Sequence, residues 1–340
     1  MNVSIFAPAI LTFFLSFGFS FLVLKLFPKI SLLDRPQKYG LSRAPIPYPA
    51  GVAPIAAFLI SLLLFFPPSK KLIAFLIAIV LVAAVSFWDD RRNLPAIFRL
   101  AIHFLAASLV AFSGVKITFL GNPFGDAIAL SDFFRFLPEI VTIFWLVFFA
   151  NVMNWLDGVP GLSAASAAAA GLFLGILSLT LESSQLETAK LAFVFSAAAA
   201  GFLLFNIPPA KMLLGDTGAM TFGFIIAAIT VFSGGKMATA FLVLAIPFLD
   251  AVNVIFSRIL AKKNPLRGAD RRHLHDRLAD AGFSDRSILL FFLGFSVLLG
   301  WLSLQFQTRG KILLIFFTAV IFLTFSRFLG KIIRKKNFKR

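Results

Sequence analysis

The sequence predicts an all-α polytopic membrane protein, a single integral membrane domain over 1–340 with about eleven transmembrane helices and candidate active-site loops at the cytoplasmic surface. Three observations carry the architecture. Hydrophobic residues make up 59% of the chain, including 45 Phe, against 14% charged residues, which is more apolar surface than a soluble core of this length can hide. Apolar runs of 15 to 22 residues follow one another from end to end. The net charge of +17 is concentrated between those runs, where it meets anionic headgroups and anionic substrates, so nucleic acid is not an expected partner and the lipid bilayer is. Cysteine is absent, which removes disulfides and thiolate metal sites.

Hydropathy places the spans in order at 6–27, 51–66, 71–88, 97–112, 138–154, 161–181, 189–205, 218–232, 238–259, 287–305 and 311–329. The first lacks a basic start and a small-residue cleavage site, so it reads as a retained span. Several are short and must stand nearly upright. Alternating KITFL and AIAL runs around GNPFGD, between Lys116 and Ser131, predict a small hairpin over the outer surface. Ala165 to Ala170 and Ala197 to Ala200 give two spans small-residue faces suited to close helix packing.

Placing the N-terminus outside puts 24 of the 32 basic residues on the cytoplasmic side, and the eight left over are Lys70, Lys71, Lys116, Arg135, Lys190, Lys236, Arg309 and Lys311. The C-terminus is then on the cytoplasmic side of the cell (plasma or inner) membrane. The same orientation brings three polar strings, at 88–95, 151–162 and 206–218, and the loops 34–54 and 258–286 to the cytoplasmic face.

Those strings carry the chemistry. Asp89 and Asp90 follow Trp88 at the end of a span; beside Arg91 and Arg92 they suit a metal-bound phosphate or proton removal, though a solvated cap is the plain alternative. In NVMNWLDGVPGL, Asn151, Asn154 and Asp157 recur at helical spacing on one face, and Gly158 and Gly161 break the helix and bring backbone close to a ligand. Gly215-Asp216-Thr217-Gly218 opens another span, where amides and dipole favour an anion as readily as Asp216 serves as a cap. In the basic loop, His273 and His275 alternate with Arg271, Arg272 and Arg277, a good constellation for a diphosphate and a poor one for zinc. His103 stands alone in its span and reads as a packed residue. Asp250, between Pro247 and Asn253 in the ninth span, is either functional or paired with Arg258 or a neighbouring helix.

The ordered set Asp89-Asp90 with Leu94-Pro95, Asn-x-x-Asn-x-x-Asp-Gly from Asn151, Pro-Ala-Lys with Gly-Asp-Thr-Gly from Pro209, and His-x-His from His273 resembles the polyprenyl-phosphate N-acetylhexosamine-1-phosphate transferase superfamily from about Asp34 to Phe283. DRPQKYGLSRAPIPYPAG and ADRRHLHDRLADAGFS look more like the branch that transfers N-acetylglucosamine-1-phosphate for teichoic acid or O-antigen polymers than the phospho-muramoyl-pentapeptide branch of peptidoglycan synthesis. The resemblance implies that a polyprenyl phosphate attacks a UDP-sugar, releasing UMP and leaving a lipid diphosphate sugar, with magnesium, or manganese in its place, as cofactor. It implies Asp216 and Asn154 at the metal, Asp89 as base and Asp90 as a second acid. Asp157, Gly158, Asn151 and Leu213 would lie at the nucleotide, Arg272, His273 and His275 at the diphosphate or sugar, and Lys38, Lys211 and Asp250 around the site. Pro160, Leu213 and Asp276 stand where the family often has Asp, an aromatic and His.

The competing class is a secondary transporter or lipid flippase, which gathers its polar groups near the midplane and opens to both faces. Almost every candidate here lies at one face. A homodimer is compatible with the sequence, which neither requires nor excludes it.

Overall fold

A computed structural model describes residues 5–39, 42–122, 125–180, 185–234, 236–262 and 273–337. The helices are α1 (Phe6–Leu26), α2 (Val52–Phe65), α3 (Lys70–Arg92), α4 (Ala96–Phe112), α5 (Leu137–Leu156), α6 (Leu162–Thr180), α7 (Leu186–Asn206), α8 (Gly215–Phe232), α9 (Met237–Val243), α10 (Ala245–Leu260), α11 (Leu274–Ala281), α12 (Asp285–Gln305) and α13 (Thr308–Asn337). Eight of these are long and apolar enough to cross a membrane, α9 and α10 form one bent pair, and α2 and α4 are shorter apolar helices of 14 and 17 residues. The chain is an all-α polytopic membrane protein, with large apolar side chains such as Phe14, Leu63, Phe256 and Phe316 exposed around the bundle, where lipid covers them.

Without a hydrophobic drive between helices in lipid, small residues and hydroxyls set the contacts. On α1 the buried positions Thr12, Ser16 and Ser20 repeat every fourth residue along one face. Thr12 meets Ser61 of α2 at 2.6 Å, and Ser16 donates to the Ala198 carbonyl of α7 at 2.6 Å. The alanine faces of α6 and α7 meet, with Ser196 donating to Ala168 at 2.7 Å. Almost all of α8 is buried, and it crosses α5 so closely that a Cβ on Gly223 would lie 2.2 Å from the Phe149 carbonyl oxygen. The centre of the bundle therefore delivers the first turn of α8 to the polar face.

The expected single span at 238–259 is corrected: α9 ends at Val243 and α10 leaves it at 84°. Pro247 explains the break, because it has no N–H for the Val243 carbonyl and its ring would collide with that carbonyl in a continuous helix, whereas a first turn of a new helix accepts it. The hairpin is present as β1 (Phe119–Leu120) paired antiparallel with β2 (Ile128–Ala129), anchored by Lys116 to Glu139 at 2.7 Å and by the Ile117 amide to Thr142 at 2.8 Å. At this opposite face three more of the basic residues are tied to neighbours: Lys190 to Glu187 and the Phe65 carbonyl at the end of α2, Lys236 to Ser178 and Gln185, and Lys311 to Thr239.

Candidate active site

The polar face is assembled from loops that hydrogen-bond to one another. The segment after α1 folds back through Asp34, which accepts from the Ile46 amide at 2.8 Å and pairs with Arg43 at 2.5 Å. It then docks along the approach to α8: Leu213 N donates to Pro47 O at 3.0 Å, and Ala50 and Gly51 donate to Leu213 and Leu214 at 2.9 Å. Asn206 pins the other side, accepting from the Gly161 amide and donating to Met212, both at 2.8 Å. Arg286 at the start of α12 donates to Pro208 O at 2.8 Å.

A cleft of about 540 Å³ opens between these loops, lined by Asp34, Arg35, Arg43, Tyr48, Asp89, Asp90, Arg91, Asn93, Arg99 and Asp216 with Leu33, Leu94 and Leu213. The two aspartates at the end of α3 are held differently. Asp89 accepts from the Leu94 amide at 2.7 Å and from Arg99 of α4, whose guanidinium also reaches Asp216 at 3.0 Å. Asp90 accepts from Tyr48, from the Asp216 and Thr217 amides at 3.0 and 2.9 Å, and from the Thr217 hydroxyl at 2.5 Å. A carboxylate has about four lone-pair sites, and all of Asp90's are used. The anion at the mouth of α8 is thus the protein's own Asp90, where the sequence left room for a bound phosphate. Gly215 makes the seat: its φ is +76°, and a Cβ there would lie 2.7 Å from Pro49 and 3.0 Å from Asp90.

Asn154 interacts with Asp216 through its side-chain amide, and Asp157 lies beside Ser163 and the Gly215 backbone. Burial pushes the Asp157 carboxyl well above the usual carboxylate range, and the charges of Asp216 and Asp90 push it further. Burial also raises the Tyr48 phenol, with Asp90 and Asp216 adding to it, so Tyr48 remains a donor at every working pH. Beyond Gly158 stands His275: a Cβ on Gly158 would lie 2.0 Å from its Nε2, so only glycine lets the ring in. Burial lowers the His275 pKa, with Asp276 opposing that shift and His273 adding to it. His273 is stacked parallel to His275 at 5.7 Å and lies 6.4 Å from Trp155, and its Nδ1 meets Asp250 at 2.8 Å.

The structure therefore joins Asp89, Asp90, Asn154, Asp157, Gly158, Leu213, Asp216, His273, His275 and Asp250 in one face. Asn151 turns away, donating to the Val147 carbonyl of its own helix at 2.8 Å. Lys211 is exposed and outside the cleft lining. Arg272 and the side chain of Lys38 lie outside the described residues. His103 is buried one turn beyond Arg99. Sequence reasoning missed Arg99 and Tyr48. A cation in the first turn of a helix opposes the dipole, which was the available signal for Arg99; Tyr48, one of two Tyr in the chain, gave none beyond its scarcity. Among the described residues no three Asp, Glu or His side chains gather as a ready metal site. The oxygen donors of Asp216 and Asn154 still fit magnesium, which binds through one or two protein groups and completes its shell with water and phosphate oxygens.

The profile of glycosyl transferase family 4 matches residues 72–234, the stretch that supplies Asp89, Asp90, Arg99, Asn154, Asp157 and Asp216. The chain is similar to a probable undecaprenyl-phosphate N-acetylglucosaminyl 1-phosphate transferase of Bacillus subtilis, 27% identical over 87% of this chain and 83% of that one. It is also similar to an undecaprenyl-phosphate alpha-N-acetylglucosaminyl 1-phosphate transferase of Yersinia pestis (26% identical, 81% of this chain and 76% of that one). A decaprenyl-phosphate N-acetylglucosaminephosphotransferase of Mycolicibacterium smegmatis is 28% identical over 71% of this chain and 65% of its own. With that profile carried on the helices that frame the cleft, the chain is similar to glycosyl transferase family 4 over the residues that build the site.

Proposed function

We propose that the protein transfers N-acetylglucosamine-1-phosphate from UDP-N-acetylglucosamine to a polyprenyl phosphate at the cytoplasmic face of the cell membrane. The names of the relatives support the sugar and the lipid acceptor. The observation that carries the reading is the cleft in which Asp89, Arg99 and Asp216 meet at the mouth of a membrane bundle.

A phosphate oxygen of the lipid attacks the sugar-linked phosphorus, the bond to the uridine-bearing phosphate breaks, and UMP leaves with that bond's electrons. Both partners are anions, so the site must neutralise them. Four carboxylates and four guanidiniums line the cleft, leaving no net positive charge for incoming phosphates. That balance supports a need for a divalent ion, held by Asp216 and Asn154, which would neutralise phosphate charge. Asp89, held by Arg99 and the Leu94 amide, orients the acceptor end, and Arg99 has donors free for a phosphate oxygen. Asp157, beside Ser163 and the Gly215 backbone, would stand at the nucleotide, its carboxyl pushed above the usual carboxylate range by burial.

The test is purified protein with undecaprenyl phosphate, magnesium and a panel of UDP-sugars, scored by UMP release and by lipid-linked product. UDP-N-acetylglucosamine should be used and EDTA should stop turnover. Use of UDP-muramoyl-pentapeptide alone would move the protein to the peptidoglycan branch, and turnover in EDTA would remove the metal.

A further inference from the structure

We propose that Asp250 is a positioning residue that fixes the tautomer of His273, so that Nε2 is the nitrogen turned to the donor's sugar-phosphate end. The proposal rests on the transferase reading for what His273 faces; its geometric part stands alone.

Asp250 sits on α10, 5% exposed, and a carboxylate so buried in a membrane bundle needs partners. Among the described residues it has two, both from the start of α11: Oδ2 meets His273 Nδ1 at 2.8 Å, and Oδ1 accepts from the Leu274 amide at 3.0 Å. One side chain thus caps α11 and orients the residue before it. A carboxylate can only accept, so His273 Nδ1 must carry the proton whether the ring is neutral or charged. Nε2 is left as the acceptor of the neutral ring and as the second donor of the charged one. Ring rotation is blocked by the parallel face of His275 at 5.7 Å and by Trp155 at 6.4 Å. His273 keeps 14% of its side chain exposed while Asp250 and His275 keep 7% and 5%, so it is the member of the group that a ligand can reach.

The isosteric change Asp250→Asn separates positioning from packing. The Leu274 amide can only donate and claims the one oxygen of the Asn, so the Asn NH₂ faces His273 Nδ1 and forces the proton onto Nε2. With ¹⁵N-histidine-labelled protein in lipid, the nitrogen shifts should report Nδ1–H in wild type and Nε2–H in Asp250→Asn. Turnover should fall about 100-fold, because the wrong tautomer presents an N–H where the neutral wild-type ring has its acceptor, with little change in donor KM. In a His273→Ala background the same change should cost nothing further, whereas a structural role would add its own loss. An Nε2–H tautomer in wild type, unchanged turnover in Asp250→Asn, or additive losses would each overturn the proposal. Absence of transfer from any UDP-sugar would overturn the transferase reading instead, and the shifts would still decide the tautomer.

Discussion

Adjacent aspartates at the end of α3 are held for different work. Asp90 is saturated and ties α3 to α8, while Asp89 keeps its place through Arg99 and one amide. Tyr48→Phe removes one donor from the buried Asp90 carboxylate and should lower stability by about 1.5–3 kcal/mol, read by unfolding in detergent. An unchanged midpoint would mean that the Tyr48 bond is worth nothing net. Gly158→Ala acts through space alone: its Cβ would fall 2.0 Å from Nε2 and 2.6 Å from Cδ2 of a ring already stacked on His273. Displacing α11 by such an amount should cost about 10²-fold in turnover. Wild-type kinetics in that variant would show that His275 can leave without consequence.

At the scale of elements, the turn between α8 and α9 carries a buried cation. Lys236 donates to Ser178 and Gln185, both neutral, and burial pulls its amine down from 10.5 to about 8, with Lys311 adding repulsion. The unfolded chain then binds more protons than the folded one between those two values, so stability rises with pH across that window and the lysine is a burden below it. Thermal unfolding in detergent should climb between pH 8 and 10 in wild type and lose most of that climb in Lys236→Met. Parallel pH profiles would assign the slope elsewhere. The spans themselves were legible because a run of apolar residues declares its own burial, and the hairpin between Lys116 and Ser131 because alternation is local. The break at Leu244 was legible only in part: Pro247 was visible in the ninth span, but its conflict with Val243 becomes a bend only when packing chooses one. Arg99 on two carboxylates, Tyr48 on Asp90 and Asp250 on His273 join residues 10 to 117, 42 and 23 positions apart, and no local pattern encodes such pairings.

For the whole molecule, the face that holds the site is expected to be cytoplasmic because most basic residues lie on it. The chain has no Cys, so Ser131→Cys and Ser284→Cys each give one exposed thiol at opposite faces. An impermeant maleimide should label the first in intact cells and the second only after the membrane is opened. The reverse pattern would invert the topology and move the proposed reaction to the far side.

The four bonds that saturate Asp90 also set an order of events during synthesis. Three of its donors lie 126 to 127 residues further along the chain. At about 5–20 residues per second the ribosome needs roughly 6–25 s to supply them. Throughout that interval Tyr48 is the one of the four donors already synthesised and water must satisfy the remaining lone pairs of Asp90, so α3 must wait with its acidic end at the aqueous boundary. The carboxylate acts as a float that keeps α3 from sliding deeper before α8 arrives, and the arrival of α8 makes that depth permanent.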